Sequence, residues 1–219
     1  MKQAEQRIYL IKELLSEEAR YRDIEIPENA EEQRKLLRSL MNVRFPKVAS
    51  DDFLAVQNAY LKSRAVEKGI VKLQSLSFCE NNLYLWQGDI TRLSVDAVVN
   101  AANCKMTGCY CPCHGCIDNC IHTFAGVQMR LECASLMKKQ GYDESVGKAK
   151  ITKAYNLPCK YVIHTVGPFI TGKPNLDDEK KLAQCYRSCL ALAEKENVQS
   201  IAFCCISTGV FGFPQTVSF

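Results

Sequence analysis

The first seventy residues place their apolar side chains at helical spacing and contain no alternating or continuous run of the strand kind. Ile8, Ile11 and Leu15 form one stripe, Leu36, Leu37, Leu40 and Val43 a second, and Phe53, Val56, Tyr60 and Leu61 a third. Ser50 with Asp51 and Asp52 reads as the start of the third helix and Gly69 as its stop. Residues 1–70 are therefore expected to form a helical extension. The texture changes after Gly69. Residues 82–87 (NLYLWQ) read as a strand rich in large apolar side chains, and 95–100 (VDAVVN) as a second, apolar on both faces like a buried parallel strand. A helix is expected over 117–139 with Gly141 as its stop, and strands over 150–154 and 161–165 on either side of Pro158. A helix over 177–197, opening on acidic residues, and a strand over 200–207 follow. Strands alternating with helices predict an α/β sandwich over residues 71–219. The chain ends twelve residues after Ser207, where a further helix and strand would normally follow. The expectation is a sandwich truncated at its C-terminus, with one face and one edge of the sheet uncovered.

Composition narrows the class. The chain is 47% apolar and 24% charged, values of a folded rather than a disordered protein. Its net charge of +4 comes without a dense Lys/Arg stripe, so no nucleic-acid partner is expected. The longest apolar run near the N-terminus is Ile8 to Ile11, and nothing approaches the ~20 apolar residues of a membrane span. No membrane partner is expected, and the expected location is the cytoplasm. Thirteen cysteines then call for a reason other than disulfides. Cys104, Cys109, Cys111, Cys113, Cys116 and Cys120 cluster beside His114, and this cluster suggests a metal. The other seven sit among apolar neighbours and read as small buried hydrophobes.

Three segments carry candidate chemistry. Gly88-Asp89-Ile90-Thr91 and Val98-Val99-Asn100-Ala101-Ala102-Asn103 lie at the ends of the first two expected strands, where open α/β sheets bind ligands. Asp89 and Asn103 belong to that rim, although each also suits a turn or cap. Ser207-Thr208-Gly209-Val210-Phe211-Gly212 has the glycines that let backbone N–H groups turn toward an anion, with Phe211 as a stacking face for a sugar. In residues 108–119, thiolates and an imidazole offer what zinc prefers, and three protein ligands would leave a fourth position open. Asp118 opens the next helix, where the backbone dipole favours a carboxylate able to act as a base. His122, one turn on, and His164, within a strand, read as hydrogen-bonded structural histidines.

These blocks occur in the order and spacing of the macrodomain family: GDIT, VNAAN, a catalytic loop, then STGVFGFP. Residues 118–126 match the acidic residue and IHxxAG helix start of hydrolytic macrodomains. The Cys/His segment resembles the zinc-containing branch, whose pattern is close to GCFxPxHxCIDNxIHxxAG, with Tyr110 where Phe is usual. Residues 36–44 also resemble the N-terminal extension of that branch. The resemblance implies a macrodomain-type three-layer α/β/α sandwich behind an N-terminal helical extension. It implies Zn2+ on Cys109, His114 and Cys116. Asp89 and the Ile90 backbone would meet adenine, Ser207, Thr208, Gly209, Val210 and Phe211 would wrap the pyrophosphate and distal ribose, and Asn103 and Asp118 would face that ribose. It implies hydrolytic release of ADP-ribose from modified protein side chains, with Asp118 acting on the attacking water and Asn103 holding the sugar. A lipoyl-carrier protein is the modified partner the branch suggests.

Cys111, Cys113 and Cys120 depart from the pattern and would compete for the metal. A non-catalytic ADP-ribose reader is the alternative. The spacing Cys109-x3-Cys113-x2-Cys116 is also that of a radical enzyme's iron–sulfur cluster, without the parallel barrel such an enzyme needs. A nucleic-acid-binding zinc knuckle would want a second ligand pair and a basic aromatic surface.

Overall fold

The structure, a computed structural model, describes residues 1–215; the last four residues of the expected 71–219 domain lie outside the described residues. Three helices, α1 (Gln3–Ser16), α2 (Ala30–Val43) and α3 (Asp51–Lys68), form the extension. Asn29 caps α2 by accepting from the N–H groups of Glu31 and Glu32, and Ser50 caps α3. Gly69 stops α3 at a φ of +81°, a conformation few other residues adopt. The second and third expected stripes turn inward at Leu37 and Leu40 and at Phe53, Tyr60 and Leu61, whereas α1 buries Leu10, Ile11 and Leu14 rather than the expected Ile8, Ile11 and Leu15; all join one cluster. Val127, from the following domain, completes that core.

The remainder is α/β. After β1 (Val71–Lys72) comes a short antiparallel pair, β2 (Ser77–Phe78) with β3 (Tyr84–Leu85), and then β4 (Leu93–Ser94), parallel to β1. The main sheet has the order β6-β7-β5-β8, built from β5 (Ala97–Ala102), β6 (Ala149–Lys153), β7 (Tyr161–Val166) and β8 (Ile201–Ala202). β7 and β8 run parallel to β5, while β6 runs antiparallel to β7. Between them lie α4 (Ile117–Ala125), α5 (Val127–Gln140) and α6 (Leu176–Lys195). Along β5 the side chains alternate: Val98 packs with Ile121, Ala125 and Met129 of α4 and α5, and Ala97 and Val99 with Leu182, Cys185 and Cys189 of α6. The three layers follow directly. Among the described residues no helix is long and apolar enough to cross a membrane.

Four expectations need correction. The 82–87 segment contributes only Tyr84–Leu85, and to the small antiparallel pair, where Leu85 stays 73% exposed; its large apolar residues suggest a main-sheet partner that this segment does not have. The 117–139 helix is two helices broken at Gly126, whose φ is +100° and where a Cβ would meet Gln57 Nε2 at 2.6 Å. The 200–207 strand pairs only at Ile201 and Ala202 before the chain leaves the ladder toward the Ser207 loop. Helices pack on both faces of the main sheet, and β6, antiparallel to β7, makes it a mixed sheet rather than the parallel one expected.

Candidate functional site at the carboxyl edge of the sheet

Because β5, β7 and β8 are parallel, the segments that follow them leave from one edge of the sheet. Asn103 follows β5, Gly167 follows β7, and the Ser207 loop follows β8. Asp118, in the first turn of α4, completes the group and is only 5% exposed. Asn100 Nδ2 donates to Asp118 Oδ1 at 2.8 Å, and Asn103 Nδ2 to Oδ2 at 3.1 Å. Each carboxylate oxygen thus receives one amide from β5 or the residue beyond it. Burial nevertheless dominates and raises this carboxyl to about 6, against the opposing pull of Asn100, Arg130 and Asn103.

Behind Asp118 lies a buried polar chain. Asn100 Nδ2 also lies 3.1 Å from His164 Nδ1, and His164 Nε2 lies 2.9 Å from Thr152 Oγ1. His122 Nε2 is 3.6 Å from Asp118 Oδ1, too long for a hydrogen bond. Burial, with His164 and Arg130 adding to it, pushes this imidazole well below its ordinary range, so the contact is not an ion pair. His122 is thus not the hydrogen-bonded histidine expected: neither ring nitrogen has a partner among the described residues. His164 is, and burial alone lowers it to about 4. His122, Cys133 and His164 bring their donor atoms within 4.8 Å of one another in the core. With the Cys133 thiol raised by burial and His164 already engaged, the trio is a neutral, packed group.

The Cys/His segment crosses in front of α4. The donor atoms of Cys109, His114 and Cys116 all lie within 4.8 Å of one another, and Cys109 Sγ is 3.7 Å from His114 Nδ1. A tetrahedral ion with bonds of ~2.3 Å to sulfur and ~2.0 Å to nitrogen needs such separations, so these residues fit zinc. Cys116 caps α4, accepting from the N–H of Asn119, where the helix dipole favours a thiolate. Burial raises its thiol to about 11 in the absence of a cation. The three departures lie outside the group: Cys113 Sγ faces Ser39 Oγ and the Lys35 carbonyl, Cys120 Sγ faces Arg38, and Cys111 is exposed. The turning away of Cys113 also breaks up the iron–sulfur spacing.

The anion-binding candidates form a tight turn. Ser207 has a φ of +65°, and its carbonyl accepts from Phe213 N–H. Gly209 accepts from Gly212, and buried Phe213 anchors the turn. Thr208 hydrogen-bonds back to Cys205, Val210 is exposed, and the Phe211 ring meets Phe169 edge to face at 5.6 Å. Asp89 caps the turn Ile90–Arg92 through Thr91 and lies 3.6 Å from Lys68 Nζ, so its turn role is real; it does not end a strand of the main sheet.

The Macro domain family matches residues 99–218, more than half of the chain. The chain belongs to the macrodomain family. This macrodomain is 56% identical over 218 residues to a protein-ADP-ribose hydrolase of Treponema medium, covering 98% of the chain and 84% of the relative. A protein-ADP-ribose hydrolase of Staphylococcus aureus is 49% identical over 209 residues, covering 94% and 78%. Among solved structures, the Trypanosoma brucei macrodomain in complex with ADP is similar at a TM-score of 0.61 and 32% identity, covering 83% of this chain and 79% of that one.

Several residues of the site escaped the sequence reading. Asn100 closes an apolar run inside a strand, and a buried amide there is itself a signal. Gly167 allows β7 to approach the Ser207 loop so closely that a Cβ would meet Ser207 Oγ at 2.0 Å. Arg38 and Asn42, from the extension, contact the Cys/His segment; the resemblance picks out their segment, 36–44, but gives neither residue a part in the site.

Proposed function

We propose that this macrodomain hydrolyses ADP-ribose from modified protein side chains and uses zinc to do so. The observation that carries the reading is the buried Asp118 carboxylate, addressed by two β5-side amides at the edge that also bears the Ser207 loop and the Cys/His segment. The names of the relatives support the same activity.

In this reading the Ser207–Phe211 turn binds the pyrophosphate and distal ribose, and Asp89 with Ile90 meets adenine. Binding energy remote from the scissile bond then fixes the ribose against Asn103 and Asp118. Asp118 orients and deprotonates the attacking water. A carboxyl near 6 is a stronger base than an ordinary aspartate and is still mostly ionised at neutral pH. Asn103 holds both that carboxylate and the sugar. Cys109, His114 and Cys116 would hold the zinc, which when bound supplies Lewis-acid polarisation of an oxygen ligand. The bond cut is the glycosidic link to the anomeric carbon or the neighbouring acyl ester. A lipoyl-carrier protein is the proposed substrate. Thirteen free thiols suit a reducing cytoplasm.

The test is incubation with an ADP-ribosylated protein and detection of free ADP-ribose. Asp118→Ala should reduce release far more than ADP-ribose affinity, and Cys116→Ala should remove both zinc and turnover. Binding without release by the unaltered chain would make it a reader. Full turnover by a zinc-free Cys116→Ala variant would dismiss the metal.

A further inference from the structure

The extension and the Cys/His segment meet at one guanidinium. Arg38, on α2, donates through Nη2 to the His114 carbonyl at 2.7 Å. The same group donates to Asn119 Oδ1, from Nη2 at 2.8 Å and from Nε at 3.3 Å. That fixes the Asn119 amide, whose Nδ2 donates to the Cys111 carbonyl at 2.9 Å and to the Cys109 carbonyl at 3.4 Å. The backbone N–H of Asn119 in turn donates to Cys116 Sγ at 3.4 Å. Each of Cys109, His114 and Cys116 is therefore reached from Arg38 directly or through this one buried asparagine.

The surrounding contacts point the same way. Asn42, fully buried and also on α2, accepts from Cys113 N–H at 2.9 Å and donates to Thr123 Oγ1 of α4 at 2.8 Å. Tyr110 lies against Phe45, with their ring centres 5.7 Å apart, and against the Arg130 guanidinium at 4.4 Å. The loop is thus pinned at Tyr110, Cys113 and His114.

We propose that Arg38 is a positioning residue for the metal site and that the helical extension, through it, sets the geometry of the three ligands. The inference rests on the zinc reading above. A ligand loop without regular hydrogen bonds of its own must borrow rigidity, and partners that orient ligands typically govern metal affinity ~10- to 100-fold. Binding is reciprocal: if the extension tightens the metal site, a bound ion must tighten the extension.

The experiment uses the full chain. Zinc affinity is read by competition with a chromophoric chelator, folding by circular dichroism, and backbone opening by hydrogen exchange with and without zinc. Arg38→Met should weaken zinc ~10- to 100-fold. Arg38→Lys should fall between, because an ammonium cannot serve both acceptors as the planar fork does. In the unaltered chain, zinc should slow exchange of the amides of residues 35–44. A merely structural role would lower the melting temperature and leave zinc affinity alone. If Arg38→Met fails to fold, the exchange measurement on the unaltered chain decides. Wild-type zinc affinity in a folded Arg38→Met variant, or exchange of α2 indifferent to zinc, overturns the proposal while leaving the metal reading standing. An unaltered chain that takes up no zinc overturns both.

Discussion

Asn100 on β5 and His164 on β7 face each other in register, and the amide of the first donates to Nδ1 of the second at 3.1 Å. The same amide nitrogen donates to Asp118, which settles its orientation. His164 Nδ1 must then accept, its proton must sit on Nε2, and Nε2 donates to Thr152 Oγ1. The base proposed for catalysis and the centre of the sheet are therefore parts of one hydrogen-bonded chain.

That chain gives a pH signature in the zinc-free protein. From its ordinary 6.5 down to about 4, the unfolded state protonates His164 and the native state does not, so stability falls as pH falls through that window. His122 acts in the same sense. Asp118 opposes them: from about 6 down to 3.8 the native state binds a proton the unfolded state does not, and stability rises as pH falls. Asp118→Asn removes the opposing titration and, with it, one of the two accepted amide hydrogen bonds, a loss that lowers stability without changing its slope with pH. Urea denaturation between pH 6.5 and 4 should show the variant losing more stability than the unaltered chain, by of order 2–3 kcal/mol. Parallel curves would contradict this account.

Gly108 should tolerate no side chain. Its φ is +86°, and a Cβ would come within 2.8 Å of His122 Cγ. Gly108→Ala should cost about 2 kcal/mol in denaturant melts and loosen zinc. A Cβ on Gly115, in the same loop, would have nothing within 4 Å, so Gly115→Ala should stay within about 0.5 kcal/mol and serves as the control.

Gly167 guards the anion turn. Alanine there would place its Cβ 2.0 Å from Ser207 Oγ, displacing the turn, and ADP-ribose affinity measured by calorimetry should fall at least ~10-fold, the equivalent of one 1.4 kcal/mol step. Adding Ser207→Gly removes the clashing hydroxymethyl and suits the φ of +65°. The double variant should regain part of the melting temperature lost in Gly167→Ala, the remainder reflecting Ile206 Cγ2, which the new Cβ would still meet at 2.8 Å. No regain would mean the strain lies elsewhere.

Arg130 ties the extension down. It is 5% exposed, and its Nη1 lies 3.2, 2.6 and 2.7 Å from the carbonyls of Met41, Asn42 and Arg44. Arg130→Met leaves those acceptors without their cationic donor, a cost of about 2–3 kcal/mol. Limited proteolysis of residues 44–50 should then be much faster. Cleavage at the wild-type rate would show that the three-helix core docks without it.

Local pattern made much of the architecture legible. β5 and β7 are buried on both faces and so are written as mostly apolar runs, broken only by Asn100 in the one and His164 and Thr165 in the other, and α6 shows its acidic start and apolar stripe. Residues 82–87 misled for the complementary reason: apolar composition cannot say whether a partner strand exists. The break at Gly126 was equally hidden, because Gln57 presses on it from the extension.

The order of residues along the chain was enough to specify the helical leader, the alternation of strands and helices, and a cluster of cysteines around His114, from which the family resemblance picked out Cys109, His114 and Cys116. It took the closed fold to establish that Cys111, Cys113 and Cys120 stand apart, that Asn100 and His164 share a proton-bearing chain with Asp118, and that Arg38 reaches a loop 76 residues away. Periodicity and spacing report what a segment does with its own neighbours. Which distant side chain fills a buried hydrogen bond depends on how helices and sheet pack, and that is settled only when the whole core closes.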